Sequence, residues 1–287
     1  MDRNYLTPEE IVDYTIETGV KKANRTVFQQ FMLAILAGAF IAMGAIASNT
    51  AVHDISNPGI SKLVAGAIFP VGLLMVVIAG AELFTGNCLL SLALFEKRIS
   101  LYQMIRNLFI VYAGNFIGSL GFAWLEANSG LFDINSGKLG ALHIKTAIYK
   151  TGLSFPKALI LGIMCNVIVC IAVWMMYGAK DMSGKVWAGF FPVFAFVVSG
   201  YEHSVANMYY IPAGLFAKAN PLYVQAGGFT SEALAGLGWK SFILTNLLPV
   251  TIGNIIGGSL FVGGIYWLAF KKKISHHPSI QKMDNML

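Results

Sequence analysis

Six long apolar segments limit what this chain can become more than any other feature. They run about Phe31–Ser48, Leu63–Phe95, Met104–Leu125, Ala158–Tyr177, Val186–Leu215 and Phe242–Phe270. A helix crosses the hydrocarbon core of a bilayer in about 20 apolar residues, so the second, fifth and sixth are longer than one crossing needs. Lipid offers nothing to a free backbone N–H or C=O, so segments of this kind must be helical. Composition agrees: 56% of the 287 residues are apolar and 12% are charged, where soluble domains carry about 25% charged residues. That deficit excludes a disordered chain, a nucleic-acid binder built on a basic patch, and most soluble enzymes. The sequence reads as an all-α polytopic membrane protein whose solvent is the lipid bilayer.

Two spans are interrupted in the same way. The second contains Gly80-Ala81-Glu82-Leu83-Phe84-Thr85-Gly86-Asn87 and the fifth Gly200-Tyr201-Glu202-His203-Ser204-Val205-Ala206-Asn207, both of the form G-x-E-x-x-x-x-N and 120 positions apart. Span three carries Gly114-Asn115-x-Ile117-Gly118-Ser119 and span six Gly253-Asn254-x-Ile256-Gly257-Gly258. These echoes predict a three-plus-three internal repeat. An odd number of crossings per unit turns the second copy upside down, giving inverted halves.

Arg3, Lys21, Lys22, Arg25, Lys97, Arg98, Lys180, Lys185 and Lys271-Lys272-Lys273 fall on one side of such a topology; Lys62, Lys138, Lys145, Lys218 and Lys240 fall on the other. The positive-inside rule then predicts cytoplasmic termini and a cell-membrane location. The first thirty residues lack the apolar core of a signal peptide. Thr7-Pro8-Glu9-Glu10 reads as a capped helix start, and Val12, Ile16 and Val20 give a narrow stripe. The organisation expected is therefore an amphipathic segment over 1–30, lying at the membrane surface or against the protein, a channel domain over 31–270 and a basic tail over 271–287.

Backbone that leaves the helix at membrane depth is tolerated only where protein buries it or a polar cavity passes it. Glu82 and Glu202 sit in those breaks, where a charge costs roughly 2.5–3.5 kcal/mol on insertion scales; they are read as loop-shaping acceptors together with Gly80, Gly86 and Gly200. No base lies near Glu82 in sequence. His203 is the only histidine within the six spans, since His53 lies in a loop and His276 and His277 in the tail. An imidazole with an ordinary pKa of about 6.5 can exchange a proton, so His203 is the candidate relay. The glycine-rich breaks lack the G-K-[ST] ending of a phosphate loop, and no nucleophile stands beside a base. Cys88, Cys165 and Cys170 form no metal-binding spacing. The connections Glu126–Lys157 and Phe216–Ser241 are too short for a catalytic domain. Neither a cofactor nor a metal is expected, and the chain does not read as an enzyme.

Val77-Ile78-Ala79-Gly80-Ala81-Glu82-Leu83-Phe84-Thr85-Gly86 resembles the first signature of the formate/nitrite transporter family. Gly162-Ile163-Met164-Cys165-Asn166-Val167-Ile168-Val169-Cys170-Ile171-Ala172 resembles the second, departing only at Ile171. Ser199–Met208 and Pro249–Gly258 match as well, so the resemblance covers nearly the whole chain. It implies an aquaporin-like protomer, a homopentamer and a separate anion pathway in each subunit. By that resemblance His203 is the central pore histidine and Thr85 its hydrogen-bonding partner. Lys150 is a buried lysine that attracts the anion, and Asn166, Glu202, Asn207 and Asn254 form the polar network. Leu73, Leu83 and Phe196 would form one apolar constriction; Phe69, Phe84 and Val169 would form the other.

A bare carboxylate entering a dry constriction faces a desolvation cost of tens of kcal/mol in the idealised limit. The expected mechanism is therefore attraction by Lys150 and loop N–H groups, followed by protonation at His203. Asn207-Met208-Tyr209-Tyr210-Ile211-Pro212-Ala213-Gly214 resembles the formate channels more than the nitrite ones, which favours formate. Nitrite, hydrosulfide, acetate and lactate are the alternatives. A water or glycerol pore would carry paired N-P-A turns, and none occurs.

Overall fold

The computed structural model describes residues 3–271. Lys272, Lys273, His276 and His277 of the basic tail lie outside the described residues. The described chain is helical, with one isolated bridge between Tyr5 and Ala179. Helix α1 (Pro8–Ala23) begins as its residues dictate: Thr7 Oγ1 accepts the Glu10 N–H at 3.3 Å and the Glu10 carboxylate accepts the Thr7 N–H at 2.7 Å. That second bond holds the Glu10 carboxyl below the usual carboxylate range. The helix lies against the protein, with Ile11, Val12 and Ile16 joining the same buried cluster as the spans.

Among the described residues six helices are long and apolar enough to cross a membrane: α2 (Val27–Val52), α3 (Pro58–Ile78), α5 (Leu101–Ala127), α7 (Phe155–Gly178), α8 (Met182–Ser199) and α12 (Trp239–Phe270). The helix α4 (Phe84–Phe95) resumes the second span after its break, and α9 (Ser204–Ala217) resumes the fifth. Short helices α10 (Pro221–Gly227) and α11 (Ser231–Ala235) occupy the connection before α12.

The connection Glu126–Lys157, expected to be a loop, contains helix α6 (Ile134–Thr151). Asn135, Ser136 and Gly137 are left-handed, and regular turns follow them. Lys138, Lys145 and Lys150 lower the hydropathy of this stretch. Its pattern is nonetheless helical, because Gly140, Ile144, Ala147 and Thr151 are buried on one face, at the three- and four-residue spacing of an amphipathic helix. The same oversight hid His143, which is fully buried on α6 with its Nε2 3.3 Å from Glu126 Oε1.

Both breaks end a helix on a left-handed glycine, Gly80 at φ 84° and Gly200 at φ 76°. The N–H of the residue after each glycine reaches back to the last turn, Ala81 to Val76 O at 2.8 Å and Tyr201 to Phe196 O at 3.3 Å. Spans then pack on small residues, as they do where lipid is as apolar as leucine. A methyl on Gly118 would lie 2.1 Å from Ile35 O, bringing α5 against α2; one on Gly257 would lie 2.3 Å from Ile163 O, bringing α12 against α7. The two close approaches resemble one another.

Gly118→Ala and Gly257→Ala must each push a helix pair apart, at a cost of about 2 kcal/mol or more. Both should lower the thermal midpoint in detergent by similar amounts. Gly121→Ala, where an added methyl meets nothing within 4 Å, should leave it unchanged. Equal midpoints for all three would show that these approaches are not what joins the spans.

Candidate functional site: a pathway between two broken spans

At each break the freed backbone is held by an asparagine from a neighbouring span. Asn115 Oδ1 accepts the Phe84 N–H at 2.9 Å, while its Nδ2 donates to Glu82 O at 2.9 Å and Ala34 O at 2.7 Å. Asn254 repeats this pattern: its Oδ1 accepts the Ser204 N–H at 2.9 Å and its Nδ2 donates to Glu202 O at 3.0 Å and Gly162 O at 2.8 Å. Asn254, expected in the polar network, thus serves as a clamp on the loop. Asn115, noted only as an echo in the sequence, is its counterpart. Asn166 works similarly, donating to Thr85 O at 3.2 Å and Asn254 O at 2.6 Å.

The glutamates form the next layer. Glu202 takes Lys150 Nζ at 2.8 Å, Asn207 Nδ2 at 2.6 Å and Asn246 Nδ2 at 3.1 Å. Glu82 takes Asn87 Nδ2 at 2.6 Å, Lys22 Nζ at 3.3 Å and the Arg25 guanidinium. The absence of a base near Glu82 in sequence is therefore misleading: α1 and the turn after it supply two. Lys22 occupies the place in the first half that Lys150 holds in the second. Asn107 Nδ2 donates to Lys22 O at 3.3 Å and Asn246 Nδ2 to Lys150 O at 2.9 Å. The signal for Lys22 lay in the repeat, since Lys22 precedes Lys150 by the same 128 positions that separate Ala34 from Gly162.

The breaks meet at one contact. His203 Nδ1 accepts the Ala206 N–H at 3.0 Å, capping α9. A backbone N–H can only donate, so the neutral ring carries its proton on Nε2, which lies 2.9 Å from Thr85 Oγ1. Both residues are buried. Two cavities run along α3 on either side. The cavity at the α6 end is lined by Ala65, Phe69, Lys150, Phe196, Glu202 and His203; the one at the α1 end by Lys22, Arg25, Leu73, Gly80, Glu82 and Leu83.

The six apolar residues expected in the constrictions, Leu73, Leu83 and Phe196 on one side and Phe69, Phe84 and Val169 on the other, lie around these two cavities and in the core beside them. Phe69 and Phe196 meet edge to face at 5.7 Å and share the α6-end cavity, whereas Leu73 and Leu83 line the other. Phe84 follows Leu83 by one residue and so points to another face; its ring meets Tyr112 at 4.8 Å beside a groove between α5 and α12. Val169 is buried in the common core. Gly86 is not a loop glycine. It lies inside α4 without a positive φ, and a methyl there would make an ordinary 3.6 Å contact with Val173.

A model of the formate/nitrite transporter family matches residues 9–268. The chain belongs to that family. It is therefore a multi-pass membrane transport protein rather than an enzyme. It is 39% identical over 276 residues to the formate channel FocA of Escherichia coli strain K12, covering 95% of this chain and 97% of that one. It is 41% identical over 262 residues to the formate channel FocA of Haemophilus influenzae, covering 90% and 92%. A solved pentameric formate channel with formate bound superposes with a TM-score of 0.76 at 35% identity, over 85% of this chain and 97% of that one.

The two halves of this transporter differ in how safely their buried charge is held. Glu82 keeps Arg25 if Lys22 is lost, but Glu202 has no second cation within ion-pairing distance among the described residues. Leaving a buried carboxylate unpaired costs about 3–5 kcal/mol. Lys150→Met should therefore lower the thermal midpoint in detergent several degrees more than Lys22→Met. Equal losses would contradict the pairing described here.

Proposed function

We propose that this chain passes a small monovalent anion, formate foremost, across the membrane in which its six spans sit. The observation that carries this is the Thr85–His203 contact between two cavities, one reaching His203 from the α6 end and the other reaching Leu83 and Gly86 beside Thr85 from the α1 end, each lined by a partly buried lysine. The relatives named as formate channels support the choice of substrate.

Lys150 draws the anion into the α6-end cavity, and its ammonium also faces the Tyr210 ring at 5.3 Å. An anion that displaces the Thr85 hydroxyl takes the hydrogen bond from His203 Nε2–H. Full proton transfer requires the ring first to gain a proton on Nδ1, which turns away the Ala206 N–H. The approaching anion favours that step by balancing the imidazolium charge. The imidazolium then gives its Nε2 proton to the carboxylate, and the neutral acid crosses the apolar lining at Leu73 and Leu83. Asn166, Asn207 and Asn254 hold the loops and glutamates that fix this geometry.

The structural neighbour is a pentamer, and the same assembly is proposed for this chain, with one pathway per protomer. Consecutive three-span halves run in opposite directions through the bilayer. Arg98 and Lys271 pair with Glu17 and Asp13 of α1, so these basic residues gather at one end of the bundle, which supports a cytoplasmic placement of that end.

Proteoliposomes loaded with the protein and offered labelled formate, nitrite, hydrosulfide and lactate test the reading. Formate should enter fastest. Formate entry no faster than into empty vesicles would overturn the assignment, whichever other anion entered.

A further inference from the structure

A third cavity lies at the α6 end, outside the one that holds Lys150. The same three helices line both, one turn apart. On α2 the deeper cavity takes Ser48 and Asn49 and the shallower one Val52 and His53. On α3 it is Ala65 against Ser61 and Lys62, and on α6 it is Thr146 against Leu142 and Lys145. A turn of helix rises about 5.4 Å, so the shallow cleft is the mouth through which the deeper cavity is reached. Ala226 and Gly227 at the end of α10, with Phe229 just past it, form a further wall.

The charge of this mouth is one-sided. Lys62, Lys138 and Lys145 line it, and the nearby carboxylate of Asp54 is taken by Lys138 at 2.7 Å. Among the described residues neither Lys62 nor Lys145 has a carboxylate within ion-pairing distance. His53 turns its Nδ1 toward Thr50 O at 2.7 Å. Lys62 reaches furthest inward: its Nζ lies 3.8 Å from where a side chain on Gly200 would begin, and Gly200 belongs to the wall of the deeper cavity. Gly200 is left-handed, and without a side chain it leaves that ammonium uncovered at the rim.

We infer that this cleft is an anion-collecting antechamber, with Lys62 as a positioning residue that passes a monovalent anion from the mouth to Lys150. The inference rests on the anion-transport reading but not on which anion is carried, because an ammonium in an aqueous cleft selects for charge. Lys150 is paired with Glu202 at 2.8 Å, so its pull is felt close by, inside the deeper cavity, rather than out at the mouth. The unpaired lysines at the mouth supply the field that concentrates anions there. A charge acting through water in this way is screened beyond roughly 10 Å at 0.1 M salt, and it changes the rate of encounter rather than later steps.

The test uses full-length protein in proteoliposomes of one orientation, with the α6 end facing the labelled anion. Flux is measured against anion concentration at low and high ionic strength. The anion is formate or nitrite, whichever the wild type carries, so failure of the formate assignment does not obscure the result. Lys62→Gln should raise KM about threefold at low ionic strength while maximal flux stays unchanged. The difference should shrink at high salt, and Lys62→Arg should restore the wild-type KM. An unchanged KM and salt response would overturn the inference. A fall in maximal flux without a change in KM would also overturn it, because it would mean that Lys62 only braces Gly200.

Discussion

A helix broken at membrane depth survives only if something satisfies the backbone groups it frees, each of which costs several kcal/mol when left bare in lipid. In this protein that task falls to Asn115 and Asn254. Each bridges the two sides of a break with one side chain, accepting from the first N–H beyond it and donating to the glutamate carbonyl within it. The left-handed glycines allow the chain to turn, but the asparagines make the turned state stable. Each asparagine also bonds to the helix packed beside it, so the break is fixed to the scaffold rather than left as a mobile loop.

The two breaks share the residues that shape them and differ in the residues that meet at the centre. Shifting the first break by 120 positions lays Gly80 on Gly200, Glu82 on Glu202 and Asn87 on Asn207, the residues that shape and charge each loop. The same shift lays Leu83 on His203 and Thr85 on Val205. The two polar residues that meet at the centre are therefore each matched by an apolar residue in the other half. A fully symmetric repeat would place either two leucines and two threonines or two histidines and two valines at the crossing point. One imidazole facing one hydroxyl at 2.9 Å instead gives a single polar station between apolar walls. An anion can be held there without facing a second charge.

Much of this was legible in the sequence, because lipid makes apolar runs and small-residue echoes informative. The spans, both breaks, the cap of α1 and the convergence on His203 follow from residue patterns. What stayed hidden is equally physical. Helix α6 carries three lysines, two of them exposed, so average hydropathy reads it as a loop although Ile144 and Ala147 mark a buried face. Lys22 and Arg25 are distant from Glu82 in sequence and meet it only because α1 folds back under the bundle.

The central claim is that His203 links anion passage to a proton. His203→Asn keeps an acceptor for the Ala206 N–H, and so the cap of α9, while removing titration. The deciding measurement is formate flux into proteoliposomes at a fixed anion gradient, with the proton gradient varied, for wild type and for this variant. The account predicts that wild-type flux rises with an inward proton gradient and that the variant either carries formate without regard to it or carries none. A variant that assembles normally and keeps the wild-type dependence on the proton gradient would show that His203 only braces the loop.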